Sequence, residues 1–255
     1  MQQNDLIPPV LARFYDVIYE SIRHETDSNF YLKKIKEAGG PVLETGSGTG
    51  RFFRNALKTG ADIYGIDVSE NMLEVLKQNL APEEHFRISC QDICTFSFQN
   101  KFKLIIAPFR VMMHVTKPYQ QLQALNNVAK HLDEDGIFIF DTFVPSLSIM
   151  LNGLPPTVDF EGEYAPGCKL RRTSSAQADL VDQLTHIKMQ FDWEENNQWH
   201  TDTWKTDLYF YFRTELEHLI ERSDLVLEKF YGTFDETPLN KESKEFLLIC
   251  KKRFT

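Results

Sequence analysis

Val42-Leu43-Glu44-Thr45-Gly46-Ser47-Gly48-Thr49-Gly50-Arg51 is a short β-rich run that passes directly into a turn with glycine at every second position. Glycine takes positive φ and carries no Cβ, so a ligand can lie against the main-chain N–H groups of such a turn. Arg51 to Thr59 then reads as a helix ended by Gly60. Downstream, Ile63-Tyr64-Gly65-Ile66-Asp67 ends a second β-rich run on a carboxylate, which is suited to accept both hydroxyl hydrogens of a ribose.

Outward from this unit the two hydrophobic periods keep alternating. Further β-rich runs are predicted at His85 to Cys90, Lys103 to Phe109 and Gly136 to Phe143, each bounded by Gly, Pro or acidic residues. Helices are predicted at residues 9–23, opened by Pro8-Pro9, and at Tyr31 to Ala38. Two more are predicted at Met72 to Leu80, capped by Ser69, and after Pro118, with Leu122, Leu125, Val128 and Leu132 on one face. Strands alternating with helices require parallel pairing, because a crossover helix returns the chain to the same end of the sheet. The fold class is therefore α/β, a doubly wound sheet.

Residues 144–213 break the rhythm. Prolines crowd their start, and Ile187, Met189, Phe191 and Trp193 then alternate strictly before Glu195-Asn196-Asn197-Gln198, whose asparagines tolerate left-handed turns. A small inserted antiparallel sheet is expected, with its hairpin at that turn and helical period absent. Thr214-Glu215-Leu216-Glu217 reads as a capping box, and Leu225 to Tyr231 and Lys244 to Lys251 read as strands. The loop between those strands is too short for a crossover helix, so the last strand of a seven-stranded, mostly parallel sheet should be antiparallel. Residues 1–143 and 214–255 are thus expected to form a Rossmann-like domain, and 144–213 a substrate lid or dimer contact.

Composition narrows the function. Across 255 residues, 28 Lys plus Arg against 37 Asp plus Glu give a net charge of -9, a field that repels nucleic acid and anionic lipid. No run approaches the roughly 18 apolar residues of a membrane span, and the N-terminus lacks the pattern of a signal peptide. A soluble, cytoplasmic protein with free thiols is expected, with no nucleic-acid or membrane partner. The seven histidines and four cysteines have no metal-ligand spacing, so no metal is expected.

The glycine spacing discriminates among nucleotides. A dinucleotide turn requires G-x-G-x-x-G, but here the third glycine is Gly50 and Arg51 occupies the required position, which disfavours a dehydrogenase. The pattern Glu44, Gly46, Gly48, Gly50 instead resembles motif I of the class I S-adenosylmethionine-dependent methyltransferases. The resemblance runs through residues 41–143 and resumes at 214–252. It includes Asp67-Val68-Ser69-Glu70-Asn71-Met72-Leu73, the loop around Asp92 and Ile93, and Leu132-Asp133-Glu134-Asp135-Gly136-Ile137-Phe138. It implies S-adenosylmethionine as cofactor. Asp67 would hold the ribose, Met72 and Ile93 would pack the adenine, and Asp92 would lie near its amino group. Glu44, Gly46 and Gly48 would lie near the methionine part, with Val68 and Phe109 also against the cofactor.

The segments Phe14-Tyr15-Asp16-Val17-Ile18-Tyr19 and Phe230-Tyr231-Gly232 resemble the subgroup that methylates small molecules, including glycine and amino-sugar N-methyltransferases. That implies an N-terminal tyrosine closing over the cofactor, Tyr15 or Tyr19, with Tyr15 favoured and also assigned to catalysis. Ala107-Pro108-Phe109-Arg110-Val111-Met112-Met113-His114 lacks the Asn/Asp-Pro-Pro-Phe/Tyr of enzymes that methylate base amines or glutamine amides. His114 is the candidate base, since an imidazole near pKa 6.5 is poised for proton removal. Arg110, Arg172 and Tyr231 are candidate substrate contacts, although Arg110 as a solvated charge is the simpler expectation. Alternation sends Arg171 and Arg172 to opposite faces, and packing is expected for two of Trp193, Trp199 and Trp204. The function implied is methyl transfer from S-adenosylmethionine to a small-molecule N or O nucleophile by in-line displacement. A non-catalytic cofactor-binding interaction module is the alternative, and a homodimer is left open.

Overall fold

The computed structural model describes residues 7–22 and 26–253. Along the chain come α1 (Pro9–Ile22), α2 (Thr26–Glu37), β1 (Val42–Thr45), α3 (Arg51–Lys58), β2 (Ile63–Asp67), α4 (Glu70–Gln78), β3 (Ile88–Cys90), β4 (Phe102–Ala107), α5 (Pro118–His131) and β5 (Leu132–Phe143). After them come α6 (Leu147–Asn152), β6 (Leu154–Ala165), β7 (Cys168–Asp179), β8 (Leu184–Glu195), β9 (Gln198–Tyr209), α7 (Arg213–Glu221), β10 (Leu225–Tyr231) and β11 (Glu245–Lys252). These elements divide into two compact units, one of residues 25–144 and 210–255, the other of residues 1–24 and 145–209.

The first unit is a doubly wound seven-stranded sheet in the order β10-β11-β5-β4-β1-β2-β3. β1 pairs in parallel with both β2 and β4, and β11 is antiparallel to β5 and β10. The expected fold class is observed. The strand order reverses between β1 and β4, so the carboxyl ends of these two strands flank the crevice where open α/β sheets bind ligands. Beneath that edge, Phe52, Phe53, Ala56, Leu73, Leu76 and Ile106 belong to one buried apolar cluster that fixes α3 and α4 against the sheet.

Several boundaries differ from expectation for local reasons. Among the described residues α2 begins at Thr26, and Asp27 in its first turn is paired with Arg51. The strand expected from His85 starts only at Ile88. Pro82 opens a 3-10 turn there, and Arg87 ties that turn to Asp62 and Glu84. β4 ends at Ala107, because Phe109 and Arg110 both take left-handed backbone, with φ of 59° and 67°. The capping residue of α7 is Phe212 and not Thr214; Glu215 accepts the Phe212 N–H at 3.2 Å.

The second unit is an antiparallel sheet in the order β6-β7-β8-β9 with α1 against one face. Val10, Leu11, Phe14 and Ile18 of α1 bury against Phe160, Leu170, Phe191 and Trp204. α1 therefore groups with the inserted sheet and not with the Rossmann-like domain to which residues 1–143 were assigned. Its apolar face meets aromatic side chains that alternation brings to one side of the strands. Asn196 and Asn197, with φ of 53° and 59°, form the expected hairpin turn between β8 and β9. The segment is not purely β: Ser146 Oγ accepts the Ile149 N–H and caps the short helix α6. Among the described residues, no helix is long and apolar enough to cross a membrane.

Candidate functional site

Two of the three glycines in the turn after β1 have clearly different tasks. At Gly46, φ is 69° and an added Cβ would lie 2.3 Å from Val111 Cγ2, so the segment after β4 closes against the turn at that point. At Gly48, φ is 54° and an added Cβ would meet nothing within 4 Å among the described residues. One glycine is needed for packing, and the other opens the main chain to a ligand.

Asp67 joins this turn to the next strand. Its Oδ2 accepts the Gly48 N–H at 2.8 Å and its Oδ1 accepts the Ser69 N–H at 2.8 Å. An ionised carboxylate has about four acceptor sites, so each oxygen keeps capacity for a further donor. Burial raises the Asp67 pKa, opposed by N–H donors from Ser69, Gly48 and Val68. Val68 is half-buried, and Met72 is buried in the first turn of α4, where its N–H reaches Ser69 Oγ.

Two buried polar atoms beside the turn, Glu44 Oε2 and Ser47 Oγ, have no hydrogen-bond partner among the described residues. Glu44 is 1% exposed, and burial lifts its pKa to about 8 against the opposing pull of Arg51. These unpaired atoms and the open face at Gly48 fit a ligand carrying both hydrogen-bond donors and a sterically demanding body. After β3, Asp92 Oδ1 accepts the Cys94 N–H at 2.8 Å, and Asn127 of α5 holds the carbonyl of buried Ile93 at 3.2 Å.

On the other side of the crevice, Asp141 of β5 organises the turn after β4. Its carboxylate accepts the Phe109 N–H at 2.9 Å, the Arg110 N–H at 3.2 Å and the Tyr31 hydroxyl at 2.6 Å. Arg110 is half-buried and paired with Glu245 at 3.1 Å, which corrects its expected solvation. His114 ends the short 3-10 turn of Val111–His114. Its side chain keeps accessible surface, yet desolvation by the surrounding protein lowers its pKa to about 4. The imidazole is therefore neutral at physiological pH and a weaker base than an ordinary histidine, which corrects the expected pKa near 6.5.

The remaining candidates belong to other elements. In the second unit, the Tyr15 and Tyr19 rings of α1 pack with centroids 4.3 Å apart and planes tilted by 39°. Arg172, 2% exposed, forms a bidentate pair with Asp159 at 2.9 and 3.0 Å beneath the Tyr19 ring, whereas Arg171 points outward to Glu161. Trp193 and Trp204 pack with α1, and Trp199 is 55% exposed. Tyr231 packs against the apolar cluster of the large sheet. Glu44, Gly46, Gly48, Asp67 and Phe109 converge on the β1 and β4 edge.

Tyr31, Asp141 and the Arg51–Asp27 pair were not anticipated. Arg51 Nη2 reaches Asp27 Oδ2 at 2.6 Å and Nη1 reaches Ser28 Oγ at 3.2 Å, tying α2 to the first residue of α3. A carboxylate inside the apolar run Ile137 to Phe143 was the available signal for Asp141, since a buried charge in a strand requires partners.

Residues 42–136 match the family described as "Methyltransferase domain". Among curated proteins, a putative methyltransferase of Geobacillus sp. strain WCH70 is 25% identical over 138 residues, 51% of this chain and 55% of that protein. The chain spans about half the length of the curated relatives it matches, 48% to 59%. Solved structures share the fold, among them the following two. An S-adenosylmethionine-dependent methyltransferase from Clostridium acetobutylicum aligns with a TM-score of 0.79 at 19% identity, covering 96% of this chain and 98% of that one. The sugar N-methyltransferase KedS8 from Streptoalloteichus sp. ATCC 53650 aligns with a TM-score of 0.74 at 15% identity, covering 94% and 93%.

Proposed function

We propose, from the premise that residues 42–136 are a methyltransferase domain, that the protein transfers a methyl group from S-adenosylmethionine to a small-molecule N or O nucleophile. The observation that carries this is the buried Asp67 carboxylate, bonded to the glycine turn through the Gly48 N–H beside the open face of Gly48. The fold shared with a sugar N-methyltransferase supports the choice of substrate class.

When bound, S-adenosylmethionine supplies an electrophilic methyl carbon that moves in line to the acceptor. The chain's own residues do the rest. Asp67 accepts ribose hydroxyls, Met72 and Ile93 supply apolar surface for the adenine, and Asp92 supplies an acceptor near its amino group. Glu44 and Ser47 supply buried polar atoms for the amino-acid portion. Displacement from a sulfonium needs chiefly alignment, which in well-oriented systems is worth roughly 7–11 kcal/mol. Neutral His114 can accept a hydrogen bond from the N–H or O–H of the methyl acceptor and take up the proton that the acceptor loses on methylation. The roles of Tyr15, Tyr19, Phe109, Arg110, Arg172 and Tyr231 are part of the same proposal, tested by single substitution.

The test is transfer of labelled methyl from S-adenosylmethionine to a panel of amino sugars, amino acids, other amines and hydroxyl compounds. Turnover of at least one acceptor is expected. Cofactor binding with no turnover across the panel would replace the enzyme reading with that of a binding module.

A further inference from the structure

We infer that Asp141 is the positioning residue of the crevice: it holds the turn after β4 in the shape that walls the cofactor cradle. This rests on the proposed S-adenosylmethionine site. Phe109 and Arg110 are consecutive non-glycine residues in the left-handed region, where a side chain is strained and such residues occur singly. The same two residues present their N–H groups to one buried carboxylate, Phe109 to Oδ1 and Arg110 to Oδ2. Successive N–H groups in such a turn form an anion-binding nest, and here the anion is supplied from the adjacent strand β5.

The carboxylate is itself held. Tyr31 of α2, fully buried, donates its hydroxyl to Oδ1, and the Arg110 side chain pairs with Glu245 of β11. The shape of the turn sets where its neighbours lie. Val111, the next residue, is the one whose Cγ2 occupies the space above Gly46, and the Phe109 ring lies 5.9 Å from the guanidinium of Arg51 at the start of α3. A turn released from Asp141 relaxes out of the left-handed region and moves Val111 off the glycine turn. Asp141 acts on the cofactor through this wall and need not touch it.

Asp141→Asn is nearly isosteric but faces one of the two N–H groups with a donor, so it tests the role directly. Hydrogen exchange should show the Phe109 and Arg110 amides losing about tenfold or more of their protection while β1 and β4 keep theirs. S-adenosylhomocysteine should bind about tenfold more weakly, and Tyr31→Phe, which leaves both amide bonds in place, should cost about threefold. Glycine at position 110 removes the left-handed strain there. On an Arg110→Gly background, Asp141→Asn should therefore weaken binding by no more than about threefold. Unchanged amide protection, or the same tenfold loss on the glycine background, would overturn the assignment. Wild-type protein that fails to bind S-adenosylhomocysteine would reject the proposed function instead, and the amide exchange would still decide whether Asp141 holds the turn.

Discussion

Replacing Glu44 with glutamine should stabilise the protein, and only above a defined pH. Glu44 is buried at the end of β1, with Oε2 unpaired and a pKa raised from 4.5 to about 8, chiefly by burial. Between those values the folded state holds a proton that the unfolded state has released. Wild-type stability therefore falls as pH rises through the window, by about 1.4 kcal/mol per pH unit. Integrated from the unfolded pKa, the deficit is under about 1 kcal/mol at pH 5, about 3 kcal/mol at pH 7, and levels off at about 4–5 kcal/mol above pH 8.

Glutamine at position 44 does not titrate, and its carbonyl can take over the bond from the Phe53 N–H. Urea unfolding of both proteins without cofactor, followed by far-UV circular dichroism at matched ionic strength, gives the difference directly. Other titrating groups cancel in that comparison. All three tryptophans lie on β8 and β9 in the other unit, so their fluorescence would report the wrong transition. A variant-minus-wild-type difference that stays flat from pH 5 to pH 8 would refute the buried neutral carboxyl.

The same geometry sets other outcomes. Gly46→Ala should destabilise the large unit by about 3 kcal/mol or more, combining left-handed strain with overlap against Val111, whereas Gly48→Ala should cost only about 1 kcal/mol of stability yet weaken cofactor binding. Urea midpoints and calorimetry separate the two. Phe191→Ala removes a fully buried ring from the core of the small sheet and should cost about 3–5 kcal/mol, read by tryptophan fluorescence. His114→Ala should lower turnover while leaving cofactor affinity intact. The wild-type rate profile should lack a rising limb between pH 6 and 7, because desolvation keeps this imidazole neutral there.

Legibility in the sequence divides along the range of the interactions. The glycine turn and Asp67 were legible because positive φ and a strand-terminal acid leave local marks, and the β8–β9 hairpin because Asn196-Asn197 is itself the turn. Alternation correctly sent Arg171 and Arg172 to opposite faces, but it carries no information about partners, so the bidentate pairing of Arg172 with Asp159 was invisible. Tyr31 and Asp141 lie 110 positions apart and meet only in the folded chain. The left-handed backbone at Phe109 and Arg110 was hidden for the same reason: neither residue type favours it, and a carboxylate on another strand compensates for it. α6 was missed because six residues between prolines are too few to display a helical period.

Calorimetric titration of S-adenosylhomocysteine into the wild-type protein and into Asp67→Ala tests the central claim most directly. Saturable one-site binding by the wild type, lost in a variant that remains folded, is the predicted result. Equal affinity in the two proteins, or no heat of binding in either, would contradict it.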